Sequence, residues 1–326
     1  MNVAELHPIA APRSIALRGI LRRGVPMKEH TSWRAGGCAR QAYVPADLDD
    51  LSAFLKTLPP HEQIHFIGLG SNTLVRDGGL DGTVILVQGA LDAMRVMDGI
   101  AIYAEAGVAS PKLARFAIAE GFSGAEWLAG VPGTVGGALA MNAGCYGSET
   151  WKHVHHAHTI ARDGTVRLRP HTDFEIGYRH CALAAPTIAL GRDEWFVAAE
   201  FAFAKGSVIE ARTSMKQWLE RRAAMQPLGL PNAGSVFRNP EADHAARLIE
   251  SCGLKGKRIG GAEVSTKHAN FIVNPGATAS AADIENLMVE IQATVERTCG
   301  VRLEREVRII GNPATTSEQA NAGTAA

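Results

Sequence analysis

From Asp47 to Leu58, the apolar residues Leu48, Leu51, Phe54 and Leu55 fall at helical spacing behind an N-capping Asp47, which predicts an amphipathic helix. His65–Gly68 reads as a short apolar strand. The turn Gly70-Ser71-Asn72-Thr73, the cluster Asp77-Gly78-Gly79 and a strand at Thr83–Val87 follow it. Arg95–Ala106 is broken by Asp98-Gly99 and Thr159–Leu168 by Asp163-Gly164, so each predicts a β-hairpin. Between them Ser110-Pro111 opens a helix as cap and first-turn proline, and Gly121 closes it. Trp195–Phe203 is a further strand. Strands joined by Asp-Gly turns, with few helices between them, predict an α+β fold with antiparallel or mixed sheets.

The pattern changes near Lys205–Ser207. Ser207-Val208-Ile209-Glu210 is a capping box for a helix ending before Pro227. Further helices are expected at Asp243–Cys252 and at Ser280–Cys299, the second capped by Ser280 with Asp283 and closed by Gly300. The strand Ala269–Asn274 lies between them. A domain boundary is placed near 205–207. Residues 1–29 read as an irregular extension, and the Ala-, Thr-, Asn- and Gln-rich tail 312–326 as disordered.

One stretch resists a secondary-structure reading. Residues 130–147 carry Gly130, Gly133, Gly136, Gly137, Gly144 and Gly147 among small and apolar residues. Glycine clustered in an apolar run marks positive φ or a close approach of the main chain to a ligand, and its N–H groups suit an anionic or heteroaromatic one. A packed glycine-rich turn accounts for the stretch equally well. The Gly70-Ser71-Asn72 turn after its strand could cradle a phosphate, but its glycine spacing is not the dinucleotide-binding fingerprint.

Composition narrows the classes. The 33 basic and 33 acidic residues cancel, which removes the electrostatic case for a general nucleic-acid or membrane-surface binder. The N-terminal segment lacks a signal-peptide core, and the apolar run Cys181–Leu190 is far too short for a membrane span. Cys38, Cys145, Cys181, Cys252 and Cys299 are scattered, with no Cys-x-x-Cys pair, so a reducing, cytoplasmic setting is expected and a zinc site is not. His153, His155, His156 and His158 invite a metal, but no acidic partner is near them in sequence and none is assigned.

Several segments match one family in order. They are His30-Thr31-Ser32-Trp33-Arg34-Ala35-Gly36-Gly37, Gly68–Val75, the run 130–147, Tyr178-Arg179, Asn232–Pro240, Leu254-Lys255-Gly256, Ile259-Gly260-Gly261, His268-Ala269-Asn270-Phe271 and Leu303–Arg308. On these the chain resembles the UDP-N-acetylenolpyruvoylglucosamine reductases of peptidoglycan precursor synthesis. The compact interval between Arg179 and Ser235 resembles the shorter type, without a tyrosine-bearing loop. The resemblance implies a two-part FAD-binding region of the vanillyl-alcohol-oxidase (PCMH) type over 30–205, divided near 88. It further implies a substrate domain over 206–302 and a strand, 303–311, carrying Glu306. It implies non-covalent FAD, NADPH as co-substrate, a UDP-GlcNAc-enolpyruvate substrate and a monomer.

Residue by residue, the resemblance makes Ser235 the proton donor, Arg179 the cation for the developing charge and Glu306 the catalytic carboxylate. Glu304 and Glu306 would share a face of a strand, so spacing alone does not separate them. The FAD contacts it implies are Gly68, Gly70, Ser71, Asn72, Thr73, Gly130, Pro132, Gly133, Thr134, Gly137, Asn142, Ala143 and Gly144. Tyr178, Arg238, Asn239 and Lys255 are the implied substrate contacts. Cys145 and Cys181 stand where the family has other small residues, and packing explains them. Two other readings remain: an FAD-dependent oxidase sharing the first 205 residues, and a regulator that binds a nucleotide sugar without redox activity.

Overall fold

The computed structural model describes residues 16–98, 100–185 and 187–314, so Gly99, most of the expected tail and the first half of the expected extension lie outside the described residues. Three units are packed together. The first is a four-stranded mixed sheet in the order Ile20–Pro26, Cys38–Val44, Leu80–Leu86, Ile64–Ile67, covered by helix α1 (Leu48–Leu55). Asp47 caps α1 by accepting from the Asp50 N–H. The expected irregular extension is corrected here, because Ile20–Pro26 is an antiparallel edge strand. Its residues are almost all exposed, and an edge strand with no buried face leaves no apolar alternation to read.

The second unit is a five-stranded antiparallel sheet in the order Val166–Pro170, Val154–Ala161, Glu194–Ala202, Ala101–Glu105, Met94–Met97. Helices α2 (Ser110–Ala119) and α3 (Val135–Ala140) belong to this unit, α3 packing against its central strand Glu194–Ala202. Ala109 rather than Ser110 is the N-cap of α2, and the Ser110 hydroxyl is buried without a partner. The sequence places helix α4 (Val208–Met225) at the start of the substrate domain. It packs instead on the second unit, where the Trp218 ring stacks on Tyr146 at 5.1 Å and the Tyr146 hydroxyl donates to the Trp218 carbonyl.

The third unit holds a small sheet, Arg258–Ile259, Ala262–Val264 and Ile272–Val273, with helices α5 (Ala245–Ser251) and α6 (Ala281–Cys299). The capping box of Ser280 and Asp283 and the left-handed Gly300 bound α6 as the sequence predicts. This unit is fastened to the first. Asp77 accepts from the Ala281 and Ala282 N–H groups at the start of α6, and Arg76 forks onto Glu285 at 2.8 and 2.9 Å. The Trp33 indole donates to the Ile272 carbonyl. The chain then returns, and Arg308–Ile310 pairs in parallel with Thr73–Val75. That strand is shorter than the expected 303–311. Just before it, Glu306 N–H donates to Val236 and Arg308 N–H to Asn72, so Glu306 sits where the chain passes from the third unit to the first.

Candidate active site

A cleft of about 420 Å³ opens where the units meet. One wall is the turn after Ile64–Ile67. There Gly70 is left-handed, at φ 62°, and a Cβ on it would strike the His30 carbonyl, so only glycine fits. The backbone N–H groups of Leu69, Gly70, Ser71 and Asn72 have no backbone acceptor among the described residues, and all four residues line the cleft. The facing wall is Gly130–Thr134 and α3. Clustered, unpaired N–H donors form a nest for a diphosphate, and the apolar lining beside them suits a flat ring system, so the residues present fit FAD. Gly68→Ala is expected to abolish flavin retention, because its Cβ would collide with Thr134 Oγ1; the flavin absorbance of the purified variant checks this.

The third wall holds Arg179, Glu306 and Ser235. Tyr178 and Arg179 are the two turn residues between strands Phe174–Gly177 and His180–Leu183. Arg179 holds φ 53° at a place that favours glycine, a cost that the rest of the site must offset. Its Nε donates to Glu306 Oε1 at 2.7 Å, and its terminal nitrogens reach the Asn142 and Gly144 carbonyls at 3.5 and 3.3 Å. Burial pushes the Glu306 carboxyl above its ordinary range, although Arg179 and Arg238 pull it down. Ser235 lines the same cleft from a loop with left-handed Gly234. Asn232 Oδ1 accepts from the Gly234 N–H, so the turn does not rely on the serine. Asn270 clamps Phe237, two residues after the serine, from both sides: its Oδ1 accepts from the Phe237 N–H and its Nδ2 donates to the Phe237 carbonyl. The Ser235 hydroxyl makes no hydrogen bond to protein among the described residues.

A family model described as "FAD binding domain" matches residues 39–168, and one described as "UDP-N-acetylenolpyruvoylglucosamine reductase, C-terminal domain" matches 226–310. A UDP-N-acetylenolpyruvoylglucosamine reductase of Nitrosospira multiformis is 54% identical over 315 residues, 91% of this chain and 90% of that protein. The chain belongs to the UDP-N-acetylenolpyruvoylglucosamine reductase family. A second reductase of that name, from Thiobacillus denitrificans, is 52% identical over 95% of this chain and 97% of its own length. The crystal structure of the reductase from Thermus caldophilus superposes with a TM-score of 0.74 at 28% identity, covering 90% of this chain and 98% of that one. The fold is thus the family's α+β arrangement of a two-part FAD-binding region and a C-terminal domain. Among the described residues no helix is long and apolar enough to cross a membrane.

Within this family member the cleft collects Gly68, Gly70, Ser71, Asn72, Thr73, Gly130, Pro132, Gly133, Thr134, Gly137, Ala143 and Gly144 together with Arg179, Ser235 and Glu306. Asn142 is not among its lining residues. That amide is buried, donating to the Gly177 carbonyl and accepting from the Trp151 N–H, so it ties the glycine stretch to the hairpin bearing Arg179. Asn239 accepts from the Ala245 N–H at the start of α5, and Lys255 pairs with Glu250 at 2.6 Å; neither lines the cleft. Tyr178 is half exposed beside its neighbour's guanidinium, outside the lining. Arg238 donates to the Arg179 carbonyl, behind the wall.

Two lining cations were missed, Arg222 on α4 and Arg308, and burial pulls both below their ordinary pKa. Arg308 had a signal, since it lies two residues beyond Glu306 in the same motif. Cys145 and Cys181 also line the cleft. Burial raises both thiols, Cys181 to about 12, which keeps them neutral. The histidine run does have an acid: Glu200, on the adjacent strand, meets His156 and His158 at 3.0 Å each. Among the described residues no group of three or more such side chains is placed to hold a metal ion.

Proposed function

We infer that this chain reduces the enolpyruvyl ether of UDP-N-acetylglucosamine to the lactyl ether of UDP-N-acetylmuramate, with FAD as cofactor and NADPH as electron donor, in peptidoglycan precursor synthesis. The observation that carries the reading is one cleft in which a nest of backbone donors faces Arg179, Ser235 and Glu306. What FAD supplies when bound is hydride transfer, from the nicotinamide to the terminal carbon of the enolpyruvyl group, which no side chain can perform.

The remaining work falls to side chains. Arg179 grips the substrate carboxylate and offsets the negative charge that spreads into it. Glu306 holds that guanidinium in a strained turn. Ser235 gives its proton to the carbon next to the carboxylate; a hydroxyl is a weak acid, but a carbanion is a strong base. Arg222 and Arg308 supply positive charge suited to the carboxylate or the diphosphate. The proposed chemistry calls for no group from a second chain, so a monomer suffices for it, and the five unbridged cysteines suit the cytoplasm.

Colour tests the reading. The purified protein is expected to be yellow, to bleach anaerobically with NADPH and to regain colour on adding the enolpyruvyl UDP-sugar. A colourless protein points to the nucleotide-sugar regulator. Bleached protein that recolours only with dioxygen points to the oxidase.

A further inference from the structure

Cys252 follows the last turn of α5 and Cys299 is the final residue of α6, and their sulfurs lie 3.6 Å apart. Neither thiol belongs to the cleft, and the reaction above uses neither. Both are partly exposed, so a small oxidant reaches them. Each is followed by a left-handed glycine, Gly253 and Gly300, both at φ 68°. Such a residue ends a helix without a Cβ penalty, so neither cysteine is followed by a further helical turn. A disulfide needs its sulfurs at about 2.05 Å, so the pair must close by roughly 1.5 Å. Side-chain rotation at two helix ends, each backed by glycine, can supply that movement.

We propose that Cys252 and Cys299 form a redox-reactive pair that closes to an intramolecular disulfide on exposure to hydrogen peroxide. The Cys299 thiolate attacks one peroxide oxygen, becoming a sulfenic acid and releasing hydroxide. The Cys252 sulfur then attacks the sulfenic sulfur; the S–S bond forms, the S–O bond breaks, and the Cys252 proton leaves with the oxygen as water. Two thiols are oxidised and one peroxide is reduced to two waters, the hydroxide having taken up the proton that Cys299 lost. Desolvation and the neighbouring sulfur push the Cys252 thiol up, so it is the partner that keeps its proton until the second step. Disulfide formation of this kind runs over about seconds to hours, depending on the oxidant.

The test uses the full-length holoenzyme and does not depend on which reaction it catalyses. After peroxide treatment and denaturation the titratable thiols are expected to fall from five to three. Digestion without reductant should join the peptides bearing Cys252 and Cys299, and dithiothreitol should part them. Cys252→Ser and Cys299→Ser should each abolish the cross-link, whereas Cys38→Ser, which removes the exposed thiol, should leave it. Five thiols after treatment overturn the proposal, and so does a cross-link that maps to Cys38, Cys145 or Cys181. The wild-type peptide map decides the matter even where a serine variant fails to fold.

Discussion

Glu306→Gln is expected to lower turnover roughly a hundred- to a thousandfold, whereas Glu304→Gln leaves it within a few-fold of wild type. The two carboxylates are two residues apart, and a regular strand would turn both to one side. The chain is in fact paired there, Arg238 N–H donating to the Glu304 carbonyl and Glu306 N–H to the Val236 carbonyl, so what separates the two side chains is their surroundings. The Glu306 side chain is 14% exposed and bonds Arg179, while that of Glu304 is 77% exposed and lies 3.9 Å from Arg238. Glutamine keeps the shape and can still accept from Arg179 Nε, so the loss measures the charge. In the proposed role the ionised carboxylate is the working form, and burial raises its pKa, so acidification removes it sooner than it would an exposed glutamate. The acid limb of the wild-type rate profile is therefore expected above the ordinary carboxylate range, and it should vanish in Glu306→Gln. Steady-state turnover against pH for the two variants checks both statements. A larger loss at Glu304 would reassign the carboxylate.

The features legible in the sequence are local ones. The ends of α6 follow from Ser280, Asp283 and Gly300, because capping is settled within one turn of chain. The glycine turn at 68–72 could be read because few residues other than glycine tolerate its backbone. Tertiary partners could not be read. Asn142 and Asn239 look like ligand amides in sequence, and in the fold they satisfy backbone groups brought from Gly177, Trp151 and Ala245. Arg222 follows Glu220 and Arg221 on a charged helix and reads as surface until α4 is seen to lie across the cleft. Glu200 is more than forty residues from His156 in sequence, and only strand pairing sets them opposite each other.

Ser235→Ala is expected to leave flavin reduction by NADPH at the wild-type rate and to slow reoxidation by the enolpyruvyl substrate roughly a hundred- to ten-thousandfold. The separation is expected because the loop owes its shape to other groups. Asn232 closes the turn through the Gly234 N–H, the Asn270 carbonyl accepts from Val236, the Asn270 side chain holds Phe237, and Glu306 N–H donates to the Val236 carbonyl. Alanine removes one hydroxyl from that frame and leaves the frame and the FAD cradle intact. Hydride transfer from the nicotinamide needs no proton from this position, so the first half-reaction is a control within the same protein. The second needs a proton at the carbon beside the carboxylate as negative charge builds there, and water reaching a partly enclosed cleft is a poor substitute for a fixed donor. Anaerobic stopped-flow absorbance of the flavin resolves the two steps. If both stay fast, the proton comes from elsewhere, and Glu306, the neighbouring group whose pKa burial has raised, becomes the donor to test.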